Sequence, residues 1–188
     1  MARVLSLETI KKKSSGCNPD KVKRLNLWGQ RLTDISILSE CPNLEILSLS
    51  YNSVSDITAL KHCTALKELY LIKNNISSLK ELSNLSEIKD LRILCIDENP
   101  LCSEIKDVRL KLLKLLPQLL RINNENVTDQ DRELAAFEKV ELDNNSEFRL
   151  KSGSIKINNS SIQLTQEQMD ATKNSSINIG VINLDDDS

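Results

Sequence analysis

Four segments of this chain superimpose on one another at a nearly fixed spacing, and that register restricts the fold more than any other feature. From Val22 the chain reads "VKRLNLWGQRLTDISILSECPN". A shift of 22 residues gives "LEILSLSYNSVSDITALKHCTA", and a further 22 gives "LKELYLIKNNISSLKELSNLSEIKD". A fourth copy, "LRILCIDENPLC", begins 25 residues later. The shared template is L-x-x-L-x-L-x-x-N-x-I/L/V. Its apolar positions are Val22, Leu25, Leu27 and Leu32, then Leu44, Leu47, Leu49 and Val54. The later copies give Leu66, Leu69, Leu71 and Ile76, then Leu91, Leu94, Ile96 and Leu101. The polar ninth position holds Gln30, Asn52, Asn74 and Asn99.

This template is that of a leucine-rich repeat. Its L-x-L centre makes a short strand with two leucines facing inward and the residue between them facing out. Strands of successive repeats stack in parallel about 4.8 Å apart. The predicted fold is therefore α/β: a solenoid of 22-residue repeats with a parallel β-sheet on its concave face. The ninth residue falls where the chain leaves the strand. There an Asn can donate and accept, satisfying backbone groups that no sheet ladder reaches. Gln30, Asn52, Asn74 and Asn99 are thus expected to form a structural ladder, with the longer Gln30 the poorest fit, as end repeats often deviate. Ile35, Leu38, Ile57, Leu60, Leu79 and Leu82 line the inward side of the returning segments. Cys41 and Cys63 occupy the same place in consecutive repeats and read as small core hydrophobes. His62, the only histidine, is expected on the surface.

The solenoid needs shielded ends. Residues 1–21 are expected to form an N-terminal cap, with Val4, Leu5, Leu7 and Ile10 on one face of a short helix. Residues 22–101 hold the four repeats. Residues 102–140 form a C-terminal cap, in which Ile105, Val108, Leu112 and Leu115 mark an amphipathic helix ended by Pro117. Leu119 to Ile122 adds a strand-like segment, and Thr128 caps a last helix. Lys106, Arg109, Lys111 and Lys114 read as the solvated side of the capping helix. From 141 to 188 the periodicity fails, 15 of 48 residues are Asn or Ser, and a mostly disordered tail is expected, with a short helix near residues 165 to 173. Ile155/Ile157 and Ile162/Leu164 alternate like strands, without turn signals to join them.

On the concave face the template places Arg24, Asn26 and Trp28; Ile46, Ser48, Ser50 and Tyr51; Glu68, Tyr70, Ile72 and Lys73; and Ile93, Cys95, Asp97 and Glu98. The one tryptophan and both tyrosines of the chain fall in this set. Aromatic side chains on rigid strands with charges around them suit a protein-binding surface; covering the first edge of the sheet, against the cap helix, is the other use open to Trp28. The partner-binding candidates are Arg24, Asn26, Trp28, Ser48, Ser50, Tyr51, Glu68, Tyr70, Ile72, Lys73, Asp97 and Glu98. A formal charge of −2 gives no global reason to expect nucleic acid or an anionic membrane as partner. No stretch has the roughly 20 apolar residues of a membrane span, and no secretory signal is read at the N-terminus. Five cysteines without a CxxC read as free thiols in a reducing compartment. No metal, cofactor or catalytic set is expected, since there is one histidine and no Gly-rich phosphate loop.

The spacing and the "ENPLC … LLPQLLRINNENVT" end resemble leucine-rich-repeat proteins with a C-terminal repeat cap. These include phosphatase regulatory subunits, the spliceosomal A-prime protein, axonemal dynein light chains and acidic nuclear phosphoproteins. More narrowly, "VKRLNLWGQRLTDIS" with "LYLIKNNISSLKEL" resembles the cilia- and flagella-associated protein four-ten family. The resemblance rests on Leu25, Asn26, Trp28, Gly29, Leu32, Asp34, Ile35 and Ser36, and covers roughly residues 4 to 135. It implies a non-enzymatic interaction scaffold of the cilium, flagellum or basal body, acting in ciliogenesis, with a NIMA-related kinase as a partner. The repeat domain is expected to be monomeric. It also implies a C-terminal helical module for self-association, for which this tail shows no counterpart. A nuclear splicing adaptor of the A-prime type, or a phosphatase or dynein regulatory subunit, is the alternative. The short "DDDS" end disfavours the acidic nuclear group.

Overall fold

A computed structural model describes residues 3–137 and the backbone of three strands at 147–150, 153–158 and 161–162. The chain divides into two compact units, Met1–Lys139 and Val140–Ser188.

In the first unit each L-x-L centre is a three-residue strand: β1 Arg24–Asn26, β2 Ile46–Ser48, β3 Glu68–Tyr70 and β4 Ile93–Cys95. They pair in parallel in the order β1-β2-β3-β4, with Leu25, Leu47, Leu69 and Leu94 in register. The cap adds β5, Arg121–Ile122, parallel to β4, and β6, Glu125–Asn126, antiparallel to β5. Alternation sends the template leucines inward, where they are all buried. The returning segments are 3-10 turns at Ser36–Glu40, Thr58–His62 and Ser83–Glu87, a tight helix that suits a short return. The third repeat absorbs its three extra residues as an α-helical turn, α2, Leu79–Leu82, so Leu85 and Ile88 join Leu82 in the core while Leu79 stays half-buried. Ser78 and Glu81 form a capping box at its start.

The asparagines repeat one set of bonds from coil to coil. Asn52 Nδ2 donates to the carbonyls of Leu27 at 3.0 Å and Leu49 at 2.6 Å, and its Oδ1 accepts from the Leu32 N–H at 2.9 Å. Asn74 does the same for Leu49, Leu71 and Val54, each at 3.0 Å. Asn99 serves Leu71, Ile96 and Ile76 at 2.8, 2.7 and 3.0 Å. Gln30 stands outside this ladder. It is only half-buried, and its Nε2 bonds Trp28 O of its own coil at 3.3 Å. The reason is positional: Gln30 belongs to the first coil, and no earlier strand offers it a carbonyl.

Cys41 and Cys63 are fully buried; burial pushes the Cys41 thiol up to about 11 and the Cys63 thiol up to about 12, so both remain protonated and unreactive at neutral pH.

Both ends differ in detail from expectation. The N-terminal helix, α1, Leu7–Lys13, is capped by Ser6, whose side chain accepts from Thr9 N. Only Leu5, ahead of the helix, and Ile10 are buried, while Val4 and Leu7 are exposed. At the other end the expected single helix is two. α3 spans Pro100–Glu104 and α4 spans Val108–Leu115, broken where Asp107 turns left-handed at φ 54°. This rotates the buried face of α4 to Leu112 and Leu113, with Leu116 just beyond, and leaves Leu115 half-buried. A last helix, α5, Asp129–Phe137, packs on α4. Arg109 donates to Asp131 from Nε at 3.3 Å and from Nη2 at 2.9 Å, and also to Asn126 O at 2.8 Å. Arg109 is thus spent inside the cap rather than displayed to solvent.

In the second unit β7 (Glu147–Leu150), β8 (Gly153–Asn158) and β9 (Ser161–Ile162) form an antiparallel meander, where a mostly disordered tail is expected from composition. The register pairs Phe148 with Ile155 and Ile157 with Ile162. The expected helix near residues 165 to 173 lies outside the described residues.

Candidate functional site

Because every second strand residue faces outward, the sheet displays columns of side chains, one per coil. The first is Arg24, Ile46, Glu68, Ile93 and Arg121; the second begins Asn26, Ser48, Tyr70 and Cys95. The hydrogen-bond ladder continues past the strands. Gly29 N bonds Ser50 O at 3.0 Å, Tyr51 N bonds Ile72 O at 2.8 Å, and Lys73 N bonds Asp97 O at 2.8 Å. It thereby holds two further columns: Trp28, Ser50, Ile72 and Asp97, and then Gly29, Tyr51, Lys73 and Glu98. All four residues of the last column have positive φ, at 64°, 60°, 54° and 56°.

Trp28 and Tyr51 are the most prominent feature of this face. They are 55% and 42% exposed, and their ring centroids lie 5.1 Å apart with the planes tilted by 45°. Gly29 leaves the head of the last column empty, so Trp28 from the neighbouring column meets Tyr51. Lys73 Nζ sits 5.1 Å from the Tyr51 ring centroid and 3.6 Å from Glu98 Oε2. The order along the rim is thus aromatic, aromatic, cation, anion. Asn26 Oδ1 accepts from Trp28 N at 3.0 Å and fixes the backbone under the indole.

Two of the candidate residues behave differently from the expectation. Ser50 is buried, at 5% exposure, and has no surface to offer a partner. Tyr70 is half-buried and stays out of the ring pair. Its hydroxyl donates to Glu68 Oε2 at 2.6 Å, and that bond raises the phenol above its usual range. Arg24 and Asn26 are exposed, while Ser48, Glu68, Ile72 and Asp97 are half-buried. Asp97 accepts from Asn123 Nδ2, and burial raises its carboxyl, with Glu125 and Glu98 adding to the effect. At the entry to the strands Glu45 takes Lys67 at 2.8 Å and Lys23 at 3.0 Å, which hold its carboxyl down to about 2 and tie three coils together.

Arg121 and Asn123 are site residues that repeat-template reasoning missed, because the template stops at Leu101. The signal was present in Leu119-x-x-Ile122, which keeps the L-x-x-L spacing. Asn123 Oδ1 accepts from Ile96 N at 2.8 Å and so closes the last coil.

The convex side carries a groove of about 560 Å³ lined in part by Asp34, Asp56 and His62. Both carboxylates are already engaged there, accepting from Ser36 N and Thr58 N at 2.8 Å each, which lowers both of them. No cluster of His, Cys, Asp and Glu able to hold a metal occurs among the described residues. No helix among them is long and apolar enough to cross a membrane.

Residues 20–62 match the family of tandem leucine-rich repeats, "Leucine Rich repeats (2 copies)". The crystal structure of the Drosophila melanogaster SNF/U2A′ complex shares the fold, with a TM-score of 0.54 at 22% identity over 74% of this chain and 94% of that one. The chain is a leucine-rich-repeat protein. It is 38% identical over 122 residues to Homo sapiens cilia- and flagella-associated protein 410, covering 64% of this chain and 48% of the relative. It is also 41% identical over 139 residues to an uncharacterized Caenorhabditis elegans protein, covering 72% of this chain and 30% of that one. Over those 122 residues the chain is similar to cilia- and flagella-associated protein 410, and it spans about half the length of that human relative.

Proposed function

We propose that this chain is a non-enzymatic interaction scaffold of the cilium, flagellum or basal body, which receives a protein partner on the concave face of its repeats. The observation that carries the reading is the contact between Trp28 and Tyr51, two exposed aromatic rings held on hydrogen-bonded coils. Aromatic anchors of this kind, pre-ordered and flanked by charge, bind without a large ordering cost. Asn26, Ile72, Lys73 and Glu98 extend the surface around them. The ciliary setting is taken from the similarity to cilia- and flagella-associated protein 410, and the family resemblance read from the sequence implies a NIMA-related kinase as the partner to try first.

Two measurements test this. A tagged chain expressed in a flagellated cell should collect at the flagellar base; collection in the nucleus would support the splicing-adaptor alternative instead. Trp28→Ala should weaken capture of the recovered partner by at least about 2 kcal/mol, roughly 30-fold. Unchanged affinity in a titration would remove the concave face from the proposal.

A further inference from the structure

Most basic side chains of the described sheet and cap have a partner. Lys23 and Lys67 share Glu45, Lys73 meets Glu98, and Arg92 meets Asp90. Arg109 holds Asp131, and Arg132 donates to the carbonyls of Pro117 and Leu119. Arg121, like Arg24 in the same column, is in no ion pair among the described residues, and it is set apart by a buried side-chain atom. None of the ion pairs or side-chain hydrogen bonds among the described residues involves its guanidinium, and its Nε is buried with no acceptor at all.

Its location is the fifth place in the first surface column, in register with Ile93, while its neighbour Ile122 points into the core. Its charge reaches the Tyr70 phenol and the Cys95 thiol, which also belong to the concave face. Glu68, the nearest acid in the same column, is already bonded by Tyr70. The buried N–H has no acceptor where it lies, which is unfavourable, so drawing the side chain towards an acceptor at the surface would cost it no hydrogen bond. The guanidinium fork accepts a carboxylate through two parallel bonds. A dianionic phosphate fits less well, because Glu68 and Asp97 lie close enough to act on the same Cys95 thiol.

We propose that Arg121 is a second anchor of the concave face, its guanidinium drawn outward to receive a carboxylate of a partner segment whose apolar side chain meets Trp28 and Tyr51. The inference rests on the concave-face reading above and names the chemistry of its partner. Strands about 4.8 Å apart put Arg121 roughly 15 to 25 Å from the ring pair, the reach of about five to seven residues of extended chain. The segment therefore carries an Asp, a Glu or a C-terminal carboxylate that many residues from an aromatic or aliphatic one.

The test is a selection of displayed random 12-residue peptides against the full chain. Synthetic copies of the enriched sequences are then titrated against wild type, Arg121→Gln, Arg121→Lys and Trp28→Ala, after thermal melts confirm that each variant is folded. The expected result is an Asp or Glu at that spacing, a loss of at least tenfold with Arg121→Gln, and a smaller loss with Arg121→Lys, which keeps the charge but not the fork. Replacing the peptide's acid by its amide should cost wild type the same factor and Arg121→Gln nothing further. Trp28-dependent peptides that carry no acid, or that bind Arg121→Gln undiminished, would overturn the carboxylate anchor while leaving the aromatic site in place. Peptides indifferent to Trp28, or no enrichment at all, would overturn both.

Discussion

Asn74 has the most demanding task of any single residue in the repeats. Its amide closes two carbonyls and one N–H, drawn from two adjacent coils, at a site only 4% exposed. Alanine leaves the Val54 N–H without a partner and removes one of the two amide donors from each carbonyl, Leu49 O keeping Asn52 and Leu71 O keeping Asn99, so Asn74→Ala is expected to cost about 1–3 kcal/mol. A denaturant titration giving the wild-type midpoint would contradict it. Asn52 and Asn99 stand in the same geometry. Trp28 is the opposite case. Its pair with Tyr51 contributes only about 0.5–1.5 kcal/mol, so a melt of Trp28→Ala should move little while partner capture falls. The placement of these two residues was legible in the sequence because both positions follow from the template. The burial of Ser50 and the turning of Tyr70 towards Glu68, two residues back on its own strand, were not, since nothing in the template announces how those side chains pack or pair.

Among the elements, α5 depends on one carboxylate. Asp131 caps its own helix by accepting from Thr128 N at 2.8 Å and from Thr128 Oγ1 at 2.9 Å, and it also takes the fork of Arg109 on α4. The Arg109 hydrogen bonds, helped by Thr128, hold its carboxyl far below the ordinary carboxylate range. A depressed value means that the stabilisation is complete above the unfolded-state value near 4, and is lost as pH falls towards the folded one. Asp131→Asn should therefore lower stability at pH 7 by about 1.5–3 kcal/mol. The gap between variant and wild type should close as the pH is lowered below about 4; a gap independent of pH, read by circular dichroism, would assign the loss to something other than charge. The repeat strands were legible to the residue because a period of two inside a period of 22 leaves no freedom of register. The cap was legible only as helix, strand, helix. The left-handed turn at Asp107, which divides α3 from α4, has no period to announce it.

For the whole molecule, each coil contacts mainly its neighbours, so stability accrues from interfaces between adjacent coils and the ends need covers. Leu112, Leu113, Leu116, Leu119 and Ile122 provide that cover at the C-terminal side. A chain stopped after residue 105 should expose the apolar flank of the fourth coil and self-associate, seen as early elution on size exclusion, whereas the intact chain should not. The sheet of the second unit was not legible in the sequence, because no repeat fixes the register of its strands.

The rim of Gly29, Tyr51, Lys73 and Glu98 carries a further meaning. Only the first coil fills this left-handed position with the residue that adopts it freely; the other three hold a side chain there against a local preference of roughly 1 kcal/mol or more each. Glycine in those places would relax the backbone and leave the rim blank. Robustness and recognition thus compete at the same three backbone positions, and a chain selected for toughness alone would be expected to lose its partner first.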